Sequence, residues 1–352
     1  VYDARVSRLR EKLSQPVLIS FLPNIRYFTG FTGSNAYLLV GDDRFTFVTD
    51  GRYAELAGTL IEAIAGADLV VYRSGLTDVL SKLLSGYQMV GVESEHLAWS
   101  MARELAGKSE ARLIATTGTV EELRAVKDDH EVASLAAAAA VGDAAFAQVP
   151  DLAAAAATEG DLAWSLIEAM RGAGGSQAGW RPIVAAGPNA SLPHHLSERG
   201  ALGSGLLLLD YGCTVDGYHS DMSRTIWLSG TPDAETERMY RAVLESQQAG
   251  IDAVAPGVTG HEVDEACRAV LRGYGYEELF VHSTGHGVGL EIHEAPRVAK
   301  DSGDVLVPGN VVTVEPGVYR PGFGGVRIED MVVVTASGRE SLTASDKELC
   351  QQ

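Results

Sequence analysis

The stretch Leu206-Leu-Leu-Leu-Asp-Tyr-Gly-Cys-Thr-Val-Asp-Gly-Tyr-His-Ser-Asp221 carries the first decisive pattern. Residues 206–210 form an apolar run of strand length that ends on a carboxylate. Asp216-Gly217 is a turn dipeptide, and residues 218–221 run back to a second carboxylate. Residues opposed across an antiparallel hairpin point to the same face. A turn centred on Val215-Asp216 sets Asp210 directly opposite Asp221. A turn on Asp216-Gly217 makes the two diagonal neighbours. Either way two acids sit side by side at the end of an apolar strand.

Further along, Val311-Val-Thr-Val-Glu315 repeats the arrangement. Arg320-Pro-Gly-Phe-Gly-Gly325 supplies the turn region and Val326-Arg-Ile-Glu329 returns. A hairpin centred on Gly322 brings Glu315 opposite Glu329. A single strand-end acid is ordinarily solvated, but like charges opposed on a sheet are destabilising. Two such pairs beside apolar runs call for a cation between them. Four carboxylates with one imidazole make a hard, oxygen-rich site that suits Mn²⁺ or Co²⁺, with Zn²⁺ as a further candidate. The imidazole comes from His282-Ser-Thr-Gly-His286-Gly-Val-Gly-Leu-Glu-Ile-His293, which packs three of the nine histidines among three glycines. His286 is the ligand candidate, and His282 and His293 are left to orient substrate and move protons.

Working outward, residues 1–125 alternate strand-like runs (17–20, 37–40, 45–49) with helical ones (56–64, 97–105), the pattern of an α/β domain. A polar segment, Arg124-Ala-Val-Lys-Asp-Asp-His-Glu131, marks the boundary with a second domain, 126–352. That domain states one order twice. Helices near 130–147 and 160–172, a strand near 181–186 and two strands around 212–217 come first. Helices near 234–254 and 260–273, a segment near 280–283 and two strands around 321–325 follow. The repeat hints at pseudo-two-fold symmetry, and the whole reads as α+β.

With 28 Lys and Arg against 47 Asp and Glu, the net charge of −19 disfavours nucleic acid and anionic membrane as partners. The apolar tract 135–157 is broken by Asp143, Gln148, Pro150 and Asp151, too often for a bilayer span. No secretory pattern opens the chain. Cys213, Cys267 and Cys350 are odd in number and widely spaced, which argues against a disulfide framework and for a reducing, cytoplasmic setting.

These residues resemble the pita-bread metallopeptidases over essentially the whole chain: methionine aminopeptidase, aminopeptidase P and prolidase, with creatinase as a relative without the metal set. The resemblance implies two divalent metal ions per subunit, Mn²⁺ first among them. Its five ligands fall on Asp210 (Leu-Asp-Tyr-Gly), Asp221 (Ser-Asp-Met-Ser-Arg-Thr), His286 (Gly-His-Gly-Val-Gly), Glu315 (Val-Glu-Pro-Gly-Val-Tyr) and Glu329 (Arg-Ile-Glu-Asp). It assigns substrate-facing roles to His194, His282 and His293, with the adjacent His195 as the alternative to His194. Arg327 matches the arginine of the proline-specific branch, and Tyr319 helps shape the proline pocket. Glu315 doubles as proton carrier, and His194 and His293 steady the reacting carbonyl.

In the first domain, Asn24-Ile-Arg-Tyr-Phe-Thr-Gly-Phe-Thr-Gly-Ser34 and Thr49-Asp-Gly-Arg-Tyr53 look like the creatinase/prolidase N-terminal domain, which methionine aminopeptidases lack. The resemblance therefore implies a homodimer in which Arg52 reaches substrate in a neighbouring site. It also implies cleavage between an N-terminal residue and proline, as in aminopeptidase P. The alternatives are a dipeptide-restricted prolidase, a methionine aminopeptidase, and a binding protein that has lost catalysis.

Overall fold

A computed structural model describes residues 1–349 and divides the chain into two compact units, Val1–Arg124 and Ala125–Gln352. The first unit is built on a six-stranded sheet. Its spatial order is Ala67–Tyr72, Phe45–Asp50, Ala36–Val40, Val17–Ile19, Met89–Glu93, Arg112–Thr116. The three strands expected from sequence lie at its centre. They are almost continuously buried, as strands covered on both faces must be. The other three were not anticipated. Ala67–Tyr72 and Arg112–Thr116 are edge strands whose exposed residues include Asp68 and Arg112, so their apolar signal is diluted. Helices also form at Tyr2–Lys12, Leu22–Thr29 and Leu76–Leu84, beyond the two expected.

In the second unit the repeated order is physical. Helices Asp129–Phe146 and Glu159–Gly172 precede a sheet in which Leu206–Tyr211 lies between Ile183–Ala186 and Met222–Trp227. Helices Ala234–Ala253 and Gly260–Tyr274 precede a sheet in which Val311–Val314 lies between Gly285–Gly287 and Asp330–Thr335, with two further strands outside. In both halves a small hairpin leaves the middle strand and returns before the next: Cys213–Val215 with Tyr218–His219, then Gly317–Arg320 with Gly324–Arg327.

The helix starts correspond as well. Thr158 and Thr259 each close a capping box, with Asp161 and Glu262 at the third helical position. Each threonine also makes an isolated antiparallel bridge, to Ala201 and to Val305 respectively. The segment near 280–283 forms neither helix nor strand, and the strand that follows it begins at Gly285.

The registers decide where the acids go. Val215 pairs with Tyr218, so the first turn is Asp216-Gly217, with φ of 50° and 80°. Positive φ at both central residues is the two-residue hairpin turn that matches strand twist. Asp210 therefore faces Ser223 across the ladder, and Asp221 is its diagonal neighbour, the second of the two registers. The ladder breaks at Gly212, where a Cβ would sit 1.8 Å from the Ser220 carbonyl oxygen. That close crossing tips Asp221 out of the regular sheet. In the second hairpin Val314 pairs with Asp330 and Gly317 with Arg327. Both ladders share one register, and Glu315 and Glu329 occupy the interruption between them, opposed as expected.

No single helix among the described residues is long and apolar enough to cross a membrane. The apolar helices Asp129–Phe146 and Val149–Ala155 meet at a 48° bend and supply Ala138, Val141, Phe146 and Val149 to the core. Cys213 and Cys267 are buried free thiols, and burial pushes Cys267 up to about 12. Cys350 lies outside the described residues.

Candidate metal centre

Asp210, Asp221, His286, Glu315 and Glu329 all line one cleft of about 720 Å³ in the second unit, together with His194, His282, His293 and Arg327. Donor atoms of Asp221, His286 and Glu329 lie within 4.8 Å of one another. His286 Nε2 is 3.4 Å from Glu315 Oε1 and 3.6 Å from Asp221 Oδ2. Asp221 and Glu329 are 5% and 1% exposed, too little for water to screen their repulsion.

Burial, then Glu329, Asp210 and Glu315, hold the Asp221 carboxyl well above its ordinary value. Burial and the same kind of repulsion raise Glu329 strongly, and burial raises Asp210 against the pull of Arg327. Glu315 differs. Burial pushes it upward, but the hydrogen bond to His286, with His282 and Arg327 nearby, brings it below the ordinary range.

Whether a cation fits can be tested on the donor set. His286 Nδ1 is 3.1 Å from the Gly287 carbonyl oxygen, which only accepts. Nδ1 therefore carries a proton and Nε2 points at the acids. Burial pulls the ring's pKa down, but the hydrogen bond to Glu315 outweighs it, so a cation at Nε2 would displace the proton shared with Glu315. Asp210 Oδ1 and Glu329 Oε1 are buried without any hydrogen-bond partner. Buried charge-bearing oxygens in that state are costly unless a cation neutralises them. Hard oxygen donors, one imidazole with Nδ1 anchored on a carbonyl and Nε2 aimed at the acids, and two unsatisfied carboxylate oxygens fit divalent metal ions.

The surrounding groups form a directed chain. Arg327 is buried. It donates from Nη2 to Asp210 Oδ2, from Nε to Ser223 Oγ at 2.8 Å and from Nη1 to Tyr319 Oη at 2.7 Å. Since Tyr319 accepts there, its own proton goes to His282 Nε2, 2.8 Å away, while His282 Nδ1 donates to the Ser283 carbonyl at 2.7 Å. Both nitrogens of His282 are thereby engaged. Burial lowers its pKa and raises Tyr319 to about 12, so both stay neutral near pH 7. His293 stands edge-on to His286, ring centroids 4.2 Å apart, and is lowered by burial and by that neighbour.

His194 and His195 are placed differently. His195 Nε2 lies 2.8 Å from the buried Glu159, whose other oxygen accepts from Ala186 N and Asn189 Nδ2. His194 is the one of the two that lines the cleft. Arg52 belongs to the first unit, where its guanidinium is closed in a fork on Asp50 Oδ1 and Oδ2 at 2.9 and 2.8 Å. Here it braces the Thr49-Asp-Gly-Arg turn.

Several contributors were not read from sequence. Asp264, buried on the helix Gly260–Tyr274, accepts from Thr284 Oγ1 and from Arg268 Nε, and Arg268 Nη2 holds the His282 carbonyl at 2.7 Å. Spacing by four residues marks Asp264 and Arg268 as an ordinary helix pair, so nothing local signals that they anchor a loop. Lys127 and Glu294 form an ion pair at 2.8 Å with side chains 0% and 4% exposed, beside His293. Ser223 was legible only once the turn was placed at Asp216-Gly217.

Opposed hairpins from two repeated halves that converge on a carboxylate and imidazole cluster define a pita-bread metallopeptidase. The chain belongs to metallopeptidase family M24, whose model matches residues 133–336, and the creatinase/prolidase N-terminal domain matches residues 5–126. The Xaa-Pro dipeptidase of Pyrococcus furiosus is 32% identical over 95% of this chain and 94% of its own. Among solved structures, an Xaa-Pro dipeptidase from Bacillus anthracis superposes with a TM-score of 0.95 at 37% identity over 99% of both chains. An X-Pro aminopeptidase from Thermotoga maritima gives 0.90 at 30%, covering 99% of this chain and 100% of that one.

Because Asp210, Asp221 and Glu329 hold protons more tightly than ordinary carboxyls, cation uptake must displace them. Binding of Mn²⁺ to the metal-free chain is expected to release protons, with affinity rising from just above the ordinary carboxyl values of 3.8 and 4.5 towards neutrality. Calorimetric titration in buffers of different ionisation enthalpy measures this. Binding heats that do not depend on buffer would contradict the raised carboxyls.

Proposed function

We propose that this metallopeptidase removes an N-terminal residue from peptides whose second residue is proline. Two divalent ions, Mn²⁺ foremost and Co²⁺ or Zn²⁺ as alternatives, would be held by Asp210, Asp221, His286, Glu315 and Glu329. The observation that carries the reading is the cluster itself. Four carboxylates and an imidazole whose Nε2 is aimed at them meet in one cleft with two buried oxygens unsatisfied. When bound, such ions acidify a water and polarise the scissile carbonyl.

The protein's own groups supply the rest. Glu315, the acid of lowest proton affinity in the cluster, is ionised at neutral pH. It can take a proton from the attacking water and release it promptly to the leaving proline nitrogen. His293 and His194, on the cleft wall, are placed to donate to the carbonyl oxygen as negative charge develops there. The nitrogen of an Xaa-Pro bond carries no hydrogen, so the site needs space for a ring rather than an acceptor. Trp180, Ile183, Pro193 and Ile292 give the cleft apolar wall for it. Tyr319 does not itself line the cleft but is buried against two residues that do, held between Arg327 and His282.

The X-Pro aminopeptidase among the structures above supports an aminopeptidase. A dipeptidase confined to Xaa-Pro is the second reading, supported by the names of two of the relatives above. Free buried thiols at Cys213 and Cys267 support a cytoplasmic setting. A homodimer, with Arg52 offered to a partner's cleft, rests on the family resemblance.

Hydrolysis of a peptide series, Xaa-Pro against Xaa-Pro-Xaa and longer, with Mn²⁺ and Co²⁺ supplied separately, tests the assignment. Turnover of the longer members is expected. Cleavage of Xaa-Pro alone would make the chain a dipeptidase, and cleavage of Met-Ala peptides in preference to Ala-Pro would remove the proline assignment.

A further inference from the structure

Ser223 sits where two opposite charges meet. Its Oγ accepts from Arg327 Nε at 2.8 Å and lies 2.8 Å from Glu329 Oε2. A guanidinium has donors only, so the single hydroxyl proton has one destination, Glu329 Oε2. Ser223 is 0% exposed, and solvent offers that proton no alternative. The backbone adds a second tie, since Glu329 N donates to the Ser223 carbonyl at 3.1 Å. Across the ladder Ser223 faces Asp210, whose Oδ2 accepts from Nη2 of the same Arg327.

One oxygen of each carboxylate is thereby occupied: Glu329 Oε2 by Ser223 and Asp210 Oδ2 by Arg327. The other of each, Glu329 Oε1 and Asp210 Oδ1, is the buried atom left without a partner. A carboxylate turns about its terminal bond across a broad, shallow profile. Something must therefore select which oxygen is presented to the cluster.

We propose that Ser223 is a positioning residue for the metal centre. Its hydroxyl fixes the rotation of the Glu329 carboxylate so that Oε1 faces a divalent cation, and its lone pair aims Arg327 so that Asp210 Oδ1 does the same. One buried hydroxyl thus orients a ligand from each half of the catalytic unit. The inference rests on the metal-centre reading given above.

Removing the hydroxyl leaves both Glu329 Oε2 and Arg327 Nε unsatisfied and frees the carboxylate to rotate. Loss of an outer partner of this kind costs about 10- to 100-fold in metal affinity. The full-length chain, stripped with chelator, is titrated calorimetrically with Mn²⁺ as wild type, Ser223→Ala and Ser223→Thr. Ser223→Ala is expected to bind more weakly by that factor, and Ser223→Thr, which keeps the hydroxyl on a strand, to recover to within a few-fold. Ser223→Ala indistinguishable from wild type, or both variants weakened alike, overturns the role of Ser223 while leaving the metal centre standing. A wild-type chain that takes up no Mn²⁺ overturns the metal-centre reading itself, before any variant is compared.

Discussion

Replacing Asp221 by Asn is expected to stabilise the metal-free chain at alkaline pH and to remove most of what metal adds. The Asp221 carboxyl is held well above its ordinary 3.8 by burial and by three neighbouring acids. A carboxyl raised on folding lowers stability as pH climbs past its unfolded value, and the full cost stands above its folded one. Asparagine keeps the shape and removes the charge. Metal-free Asp221→Asn should therefore melt above wild type at about pH 8 and close to it below about pH 4. With Mn²⁺ added the order reverses, because the variant has lost a ligand. Hydrolysis should fall by more than the roughly 100-fold attached to an outer partner. Melting curves of both proteins, with and without Mn²⁺, measure the two effects together. A metal-free variant less stable than wild type at alkaline pH would show that repulsion does not govern the cluster.

Arg327→Met should damage stability as well as turnover. The guanidinium is the charge partner of Asp210 in a pair whose side chains are 4% and 15% exposed, and it donates to Ser223 and Tyr319 besides. Breaking a buried pair by removing one partner typically costs about 3–5 kcal/mol, since the remaining charge is left uncompensated. Loss on this scale should appear in chemical denaturation of the metal-free chain and shrink when Mn²⁺ supplies positive charge to Asp210. Arg327→Lys should recover little, because an ammonium cannot reproduce three contacts spread across Nε, Nη1 and Nη2. A metal-free Arg327→Met chain that denatures like wild type would mean that Asp210 is already neutral.

Much of this centre was legible in the sequence because hairpins are local. Once Asp216-Gly217 is taken as the turn, the relation of Asp210 to Asp221 follows, and Gly322 does the same for Glu315 and Glu329. The repeated order of helices and strands is also a local property read twice. What stayed hidden is long-range. Nothing near Asp264 announces that its carboxylate holds Thr284, nor near Lys127 that its ammonium reaches Glu294, because both contacts depend on how distant segments pack. The different settings of His194 and His195 depend on Glu159, far back in the chain and unremarkable as the first residue of a helix. The edge strands of the first unit were missed for a different reason. None of their residues is buried, and apolar periodicity fades where burial does.

The two repeated halves of the catalytic unit hold unequal shares of the centre. Asp210 and Asp221 come from one, and His286, Glu315 and Glu329 from the other. Neither share by itself offers a cation a complete coordination sphere. Ion capture by these five residues would therefore act as a rivet through the seam, and the two halves would have to come together before it could close. Parts that look independent in outline would thus be obliged to fray, or hold, as one.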